Sequence, residues 1–185
     1  MSGYYHDLLD PIENVRGFAK GTIKIVSRAT AKAYKGGYPD LLQHTDVISI
    51  NDPRDNYLFN PSQGTNILSL VYHDITPDHL RYDRYSSEYL FNKEHATEVI
   101  NFLERRDSTK PLLVHCFAGI SRSAATALFA GLMYGHDVEK LVLAHPRIYH
   151  NPWILQVLRE VYKEEFGKTE DKKQGNYLDN LRYLD

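Results

Sequence analysis

Short apolar runs alternate along this chain with longer stretches in which apolar residues recur every three or four positions. The runs predict strands at 22–27, 46–50, 67–72 and 112–115. The helical spacing predicts helices within 87–105 and over 123–134, and Asp137 and Asn151 are expected to cap two more. Strands interleaved with helices in this way indicate an α/β sandwich.

The two ends of the chain differ from its middle in composition. We assign residues 1–20 to an N-terminal leader, 21–166 to one folded domain, and 167–185 to a polar linker and C-terminal tail. Within the tail, apolar residues recur at helical spacing: Tyr177, Leu178, Leu181 and Leu184. The sequence therefore leaves two alternatives for this segment, a short helix docked on the body or a frayed tail.

The composition limits where the protein works and what it binds. The 185 residues include a single cysteine, which excludes an internal disulfide and indicates a reducing compartment. The sequence shows no apolar run of membrane-spanning length and no signal-peptide core, so we expect a cytoplasmic protein without a membrane partner. The net charge of −2 at pH 7 argues against a dedicated nucleic-acid-binding role.

Basic residues recur between positions 16 and 35, with no acidic residue among them. On a continuous strand, Lys20, Lys24 and Arg28 would share one face. Such a face would attract anionic substrates, although a charge run is more often an ordinary solvated surface.

The most informative stretch follows the apolar run 112–114 and reads His115-Cys116-Phe117-Ala118-Gly119-Ile120-Ser121-Arg122-Ser123. A cysteine after an apolar run is usually an inert core residue. Here, however, the only cysteine ends a predicted strand, a glycine lies in the following loop, and an arginine begins a predicted helix. This combination is typical of a site that binds an anion.

Each part of this stretch has a property that phosphate chemistry needs. Backbone N–H groups of the loop can form an anion nest, and Gly119 has no Cβ where the turn is tightest. The planar fork of Arg122 can hold two phosphoryl oxygens. Cys116 beside a helix N-terminus is suited to be a nucleophilic thiolate, and Ser123 is placed to donate a hydrogen bond to its sulfur. We expect the substrate phosphate to be bound by Phe117, Ala118, Gly119, Ile120, Ser121 and Arg122.

The stretch resembles the cysteine-based protein phosphatases, in which His-Cys is followed by five variable residues and an arginine. Residues 118–123 are similar to the dual-specificity branch of that superfamily. The resemblance is strong over 110–135, fair over 45–165 and weak before residue 40. It implies a central, mostly parallel sheet flanked by helices, with the site in the crevice at the strand carboxyl ends, and it makes 21–166 the catalytic domain.

The family protonates the leaving group with an aspartic acid that follows the preceding strand. Asp74 comes directly after the predicted strand 67–72 and matches that position, while Asp78 is the competitor and Asp83 a more distant one. The segment 75–86 is longer than in compact family members. It predicts a larger, mobile acid loop that carries Tyr82 and Tyr85 near the substrate, with an ordinary solvated loop as the alternative.

The resemblance implies a phosphatase that hydrolyses phosphotyrosine in proteins through a cysteinyl-phosphate, without a metal or other cofactor. Action on phosphoserine and phosphothreonine as well is open. The same chemistry on a phosphoinositide or on the 5′ end of RNA stays open, as does a non-catalytic phosphate-binding adaptor. Loop positions 117, 118 and 120 carry no positive charge, which favours a substrate with one phosphate.

Two further features follow the helix at 123–134. His145 and His150 have no accompanying cluster of cysteines or carboxylates, so we expect no metal site there. In related phosphatases an asparagine near a proline in this region braces the phosphate loop. The resemblance carries that role to Asn151, although Asn151 is also explained as the cap of its own helix.

Overall fold

Four parallel strands form the centre of this chain in a computed structural model, which describes residues 20–56, 58–59, 66–82 and 85–181. They are β1 (Ile23–Ser27), β2 (Asp46–Asn51), β3 (Ile67–Val71) and β4 (Leu112–Cys116). Their order in the sheet is β1-β4-β2-β3. The predicted α/β fold with a parallel central sheet is confirmed, and the carboxyl ends of all four strands meet at one edge.

Helices cover both faces of this sheet. The α-helices of the described residues are α1 (Arg28–Gly37), α2 (Pro39–Gln43), α3 (Lys93–Arg105), α4 (Arg122–Met133), α5 (Val138–Leu143), α6 (Pro152–Glu164) and α7 (Lys172–Asp179). Two short 3₁₀ helices, Pro77–Arg81 and Ser87–Tyr89, lie between β3 and α3. None of the helices described is long and apolar enough to cross a membrane.

Alternation along the strands divides the interior into two cores. Leu112, Val114 and Cys116 of β4 lie in the larger core with buried residues of α3, α4 and α6. Leu113, which points to the opposite face, joins a smaller cluster with Ala31 and others on the α1 side. This is the period-2 pattern of a strand buried on both faces. Cys116 therefore ends its strand on the face that α4 covers.

Polar caps set the starts of several helices. The side chain of Asp137 accepts a hydrogen bond from the Lys140 N–H at the start of α5, and the side chain of Asn151 caps α6. Both predicted caps are thus present. They satisfy N–H groups that the first helical turn leaves without a partner.

The basic residues 20, 24 and 28 do not share the face of one continuous strand, because β1 ends at Ser27. The Ser27 side chain accepts a hydrogen bond from the Thr30 N–H, 3.1 Å away, and this cap starts α1 at Arg28. Arg28 therefore belongs to a helix and does not continue the strand that carries Lys24. The helix predicted within 87–105 is α3, which begins at Lys93.

The C-terminal segment contains a docked helix, one of the two forms that the sequence left open. Leu178 of α7 is buried in the larger core. Arg159 of α6 forms ion pairs with Glu170, just before α7, and with Asp179 at its end. The predicted leader up to residue 19 and the last four residues of the tail lie outside the described residues, and the proposed domain limits stay a prediction.

Candidate active site

The predicted nucleophile lies at the bottom of the loop between β4 and α4. Residues 117–122, the phosphate loop, run from the end of β4 to the first residue of α4. The Gly119 N–H donates a hydrogen bond to Cys116 Sγ at 3.3 Å, and Ser123 Oγ lies 3.1 Å from the same sulfur. Cys116 is buried. Hydrogen bonds and the amino end of α4 both favour negative charge at this position.

Gly119 allows the phosphate loop to pack against the end of β1. Its φ of +74° is in the left-handed region that favours glycine. A Cβ at this position would lie 2.6 Å from the Ser27 nitrogen and 2.6 Å from the Val26 carbonyl carbon. Both contacts are with backbone, so no side-chain movement would relieve them. The adjoining Arg28 N–H also donates to the Phe117 carbonyl at 3.1 Å, which fixes the loop from the same side.

Arg122 is held by groups from the ends of two other strands. Its Nη1 and Nη2 each lie 3.0 Å from a carboxylate oxygen of Asp52, which follows β2. Nη1 also donates to the Tyr72 carbonyl, directly after β3, at 2.8 Å. Burial alone would lower the pKa of Arg122, but the Asp52 hydrogen bonds and the nearby Cys116 raise it above the ordinary value. The guanidinium therefore stays charged.

One hydrogen-bond donor of Arg122 forms no hydrogen bond within the described part of the chain. Its Nε is buried and has no partner there. Buried polar groups are nearly always paired, so this Nε is an exception. Arg122 and Cys116 are close enough to interact electrostatically.

Asp52 was not among the residues that the sequence pointed to. In the sequence, Asn51-Asp52-Pro53 indicates only the end of a strand. The available signal was its position directly after β2, at the sheet edge where parallel strands place functional groups. What the sequence could not provide was the pairing with Arg122, seventy positions away.

The structure brings Asp74, but not Asp78, to the phosphate loop. Asp74 Oδ1 accepts hydrogen bonds from Ser121 Oγ at 2.8 Å and from Asn151 Nδ2 at 2.9 Å. Asp78 pairs instead with Arg81 at 3.0 Å, and both of these side chains are 81% exposed. Asp83, the third candidate, lies outside the described residues.

Asn151 connects this aspartate to the start of α6. Its side-chain oxygen accepts hydrogen bonds from the Trp153 and Ile154 N–H groups, at 3.0 and 3.2 Å. Its backbone N–H points to the Ser121 carbonyl at 3.4 Å. Asn151 thus caps α6 and also contacts the phosphate loop. From the sequence these two roles were alternatives.

The acid loop (residues 74–86) contains an aromatic cluster next to Asp74. The ring of Tyr85 packs edge-on against His73 and His79, with ring centroids 5.9 and 6.0 Å apart, whereas Tyr82 is 60% exposed. His73 also lies 3.8 Å from Asp52. Tyr85 thus contributes to the packing of this loop, and the approach of either tyrosine to substrate stays a prediction.

Of three further histidines, His115 and His150 are buried and His145 is half-buried. Burial lowers the pKa of His115 to about 4, and its Nε2 lies 2.8 Å from Ser49 Oγ. Burial likewise lowers the pKa of His150 to about 4. His145 accepts a hydrogen bond from the Ile25 N–H at 3.3 Å. Near pH 7 these side chains are neutral.

Comparisons with known proteins find similar structures but no similar family profile. No protein-family model matches the chain, and no curated protein matches it. Among the solved structures that match is PTPMT1 in complex with PI(5)P, with a TM-score of 0.49 and 15% identity over 80% of this chain and 94% of that one. DUSP15 has a TM-score of 0.49 and 19% identity over 89% and 95%, and Tk-PTP in the active form has 0.39 and 15% over 86% and 88%.

The similarity to these three structures is low. Their identities are below 20% and their TM-scores below 0.5. The chemistry of this chain must therefore be argued from the residues of its own site.

Proposed function

We propose that this chain is a phosphatase that hydrolyses phosphomonoesters through a covalent intermediate on Cys116. The observation that carries the proposal is the convergence of three groups at one loop. These are the buried thiol of Cys116, the charged guanidinium of Arg122, and the carboxyl of Asp74. A nucleophile, an anion-binding cation and a general acid are the parts that this reaction needs.

The reaction takes place in two steps. The Cys116 thiolate attacks phosphorus, the bond from phosphorus to the leaving oxygen breaks, and protonated Asp74 gives its proton to that oxygen. Backbone N–H groups of the phosphate loop and Arg122 stabilise the three other phosphoryl oxygens. In the second step Asp74, now ionised, takes a proton from water as the water attacks phosphorus. The S–P bond breaks, and phosphate and the Cys116 thiolate are released. These protein groups supply the nucleophile, the acid and the base, so the proposed reaction uses no metal.

The substrate that we propose is phosphotyrosine in proteins, with phosphoserine and phosphothreonine as secondary substrates. Phe117 and Ile120 of the phosphate loop are 65% and 37% exposed. Tyr149 is 60% exposed, and its backbone N–H donates to the Ile120 carbonyl at 2.9 Å. Large apolar side chains thus lie exposed on the loop itself, which suits a phosphate attached to an aromatic ring.

The charges around the loop support the same choice. The loop has no lysine, and the carboxylates of Asp52 and Asp74 lie next to it. A substrate with several phosphates would meet these carboxylates without further cations from the loop to compensate. A soluble inositol phosphate or an RNA 5′ end is therefore disfavoured relative to a single phosphotyrosine.

Phosphate release from a panel of substrates tests this function. The panel contains a phosphotyrosine peptide, the matched phosphoserine and phosphothreonine peptides, a soluble inositol phosphate and 5′-triphosphate RNA. We expect the highest kcat/KM on the phosphotyrosine peptide, inhibition by vanadate, no effect of a chelator, and no turnover by Cys116→Ser. A higher kcat/KM on the inositol phosphate or RNA would overturn the substrate. Tight peptide binding without any release would indicate an adaptor and overturn the enzyme.

A further inference from the structure

The Asp74 carboxyl is held by two donors that bind the same oxygen. Ser121 Oγ donates from the phosphate loop and Asn151 Nδ2 donates from the start of α6, both to Oδ1. No bond of this kind to Oδ2 is present among the described residues. Asp74 is itself an exposed residue, so without these donors its side chain would be free to adopt several rotamers.

Capping of α6 does not require the amide group of Asn151. The cap uses only its side-chain oxygen, which accepts from the Trp153 and Ile154 N–H groups. Serine, threonine and aspartate cap helices equally by their oxygens. The Nδ2 group is the part that only asparagine supplies among them, and it donates to Asp74 Oδ1 and, at 3.3 Å, to the Ile75 carbonyl.

We propose that Ser121 and Asn151 are positioning residues that fix Asp74 in its reacting orientation before substrate binds. Oδ1 is the oxygen that they hold, and Oδ2 is the oxygen that carries the proton to the leaving group. This inference rests on the proposed phosphatase function, with Asp74 as its general acid.

The hydrogen bonds to Oδ1 suit both protonation states of Asp74. While Oδ2 carries the proton, Oδ1 is a carbonyl oxygen and accepts from both donors. When the proton passes from Oδ2 to the leaving oxygen, the resulting carboxylate still accepts from the same two donors, and its charge strengthens both bonds. The carboxyl can therefore stay in place while Oδ2 later takes a proton from the attacking water.

If Ser121 and Asn151 position the general acid, the effect of removing either donor should depend on the leaving group of the substrate. A phenol of high pKa, such as the tyrosine side chain, must be protonated as it departs, whereas 2,4-dinitrophenolate leaves readily without a proton. General acid catalysis is typically worth about 10²–10⁴ in rate. We expect loss of one donor to remove part of this, about tenfold in kcat on a phosphotyrosine peptide. The KM for the peptide should change little. On 2,4-dinitrophenyl phosphate, kcat/KM should change less than about twofold, because it reports only the first step, in which this leaving group needs no proton.

Asn151→Ser and Ser121→Ala test the two donors separately. Asn151→Ser keeps an oxygen that can cap α6 and removes only the amide, while Ser121→Ala removes the hydroxyl without affecting the cap. Ser121→Thr restores a hydroxyl and should recover most of the lost rate. In an Asp74→Asn background, neither substitution should cost further activity on the phosphotyrosine peptide, because both act through Asp74.

An equal loss of kcat/KM on both substrates would overturn the proposal, and so would a loss that persists in the Asp74→Asn background. Either result would show that the two residues only maintain the loop. Should Asn151→Ser fail to fold, Ser121→Ala and Ser121→Thr decide the question. Failure of the proposed function is a separate result, because it would appear as a wild-type protein with no release that depends on Cys116.

Discussion

Two arginine–aspartate pairs lie at opposite ends of β2. They differ in how exposed they are and in whether every buried donor of the arginine has a hydrogen-bond partner. At the amino end, Arg106 Nε donates to Asp46 Oδ2 at 2.7 Å. Just beyond the carboxyl end, Arg122 binds both oxygens of Asp52 at 3.0 Å. The residue types are the same, and both arginines are buried.

The amino-end pair is buried and its arginine donates only to the protein, so we call it the closed pair. The side chains of Arg106 and Asp46 are 1% and 3% exposed. Arg106 also donates to the Lys110 carbonyl and lies over the Tyr134 ring, 5.4 Å from its centroid. Such a pair uses the donors of the guanidinium for the protein itself, and its effect is on folding.

The carboxyl-end pair is partly exposed to solvent, so we call it the open pair and Arg122 the open arginine. Asp52 is 32% exposed, and Arg122 keeps a buried Nε without a partner in the described residues. This end of the sheet also has the phosphate loop and the start of α4, where N–H groups point outward. We therefore assign the proposed functional role to the arginine of this pair, because parallel sheets place functional groups at this edge.

Of the two pairs, the carboxyl-end pair should show the larger loss of activity when its arginine is replaced. Arg122→Lys keeps the charge but loses the planar fork, so it cannot bind Asp52 and a phosphoryl group together. We expect kcat/KM on a phosphotyrosine peptide to fall by about 10²–10³. Arg106→Lys is the matched control and should leave the activity of the folded fraction near that of the wild type. A loss below tenfold for Arg122→Lys would contradict the distinction between the two pairs.

Breaking the closed pair should instead affect stability. Arg106→Ala leaves Asp46 buried without its partner, which typically costs about 3–5 kcal/mol in the free energy of unfolding. Urea denaturation measures this loss. The double variant with Asp46→Ala should recover part of it, because no buried charge is then left uncompensated. If Arg106→Ala lost less than about 1 kcal/mol, the pair would not be a closed one in this sense.

Between the two pairs lies His115 of β4, which is opposite Ser49 of β2. This histidine should affect how the stability of the protein depends on pH. His115 pairs with Ser49 in the sheet register, and burial lowers its pKa from 6.5 to about 4. Between these values the unfolded chain binds a proton that the folded protein does not. The stabilising contribution is therefore complete above pH 6.5 and decreases as the pH falls toward 4, by roughly 3 kcal/mol in total.

Urea unfolding of the wild type and of His115→Gln between pH 4 and 7 measures this effect. The variant should show a smaller decrease in the free energy of unfolding as the pH falls. Some decrease should persist in it, because burial also lowers the pKa of His150 to about 4. Equal slopes in the two proteins would contradict the assignment to His115.

The sequence predicted those parts of the molecule that local patterns encode. Apolar runs mark the strands because each strand is buried, and the spacing from Cys116 to Arg122 is fixed by one loop. Helix α1 was not predicted, although the Ser27 cap at its start and the Gly36-Gly37 pair at its end are local helix signals. The Arg106–Asp46 and Arg122–Asp52 pairs were not predictable, since both depend on the placement of β2 beside β4 in the sheet.

The smallest expected effect concerns a third arginine–aspartate pair, which faces the solvent. Asp78 and Arg81 are each 81% exposed, and water screens such a pair so strongly that it contributes little. We expect Asp78→Asn to leave both the urea midpoint and kcat/KM unchanged within error. Asp74→Asn, four positions earlier, should lower kcat on a phosphotyrosine peptide by about 10²–10⁴. The opposite ranking of the two variants would show that hydrogen bonds from Ser121 and Asn151 do not identify the general acid, even if Arg122 and Arg106 behave as expected.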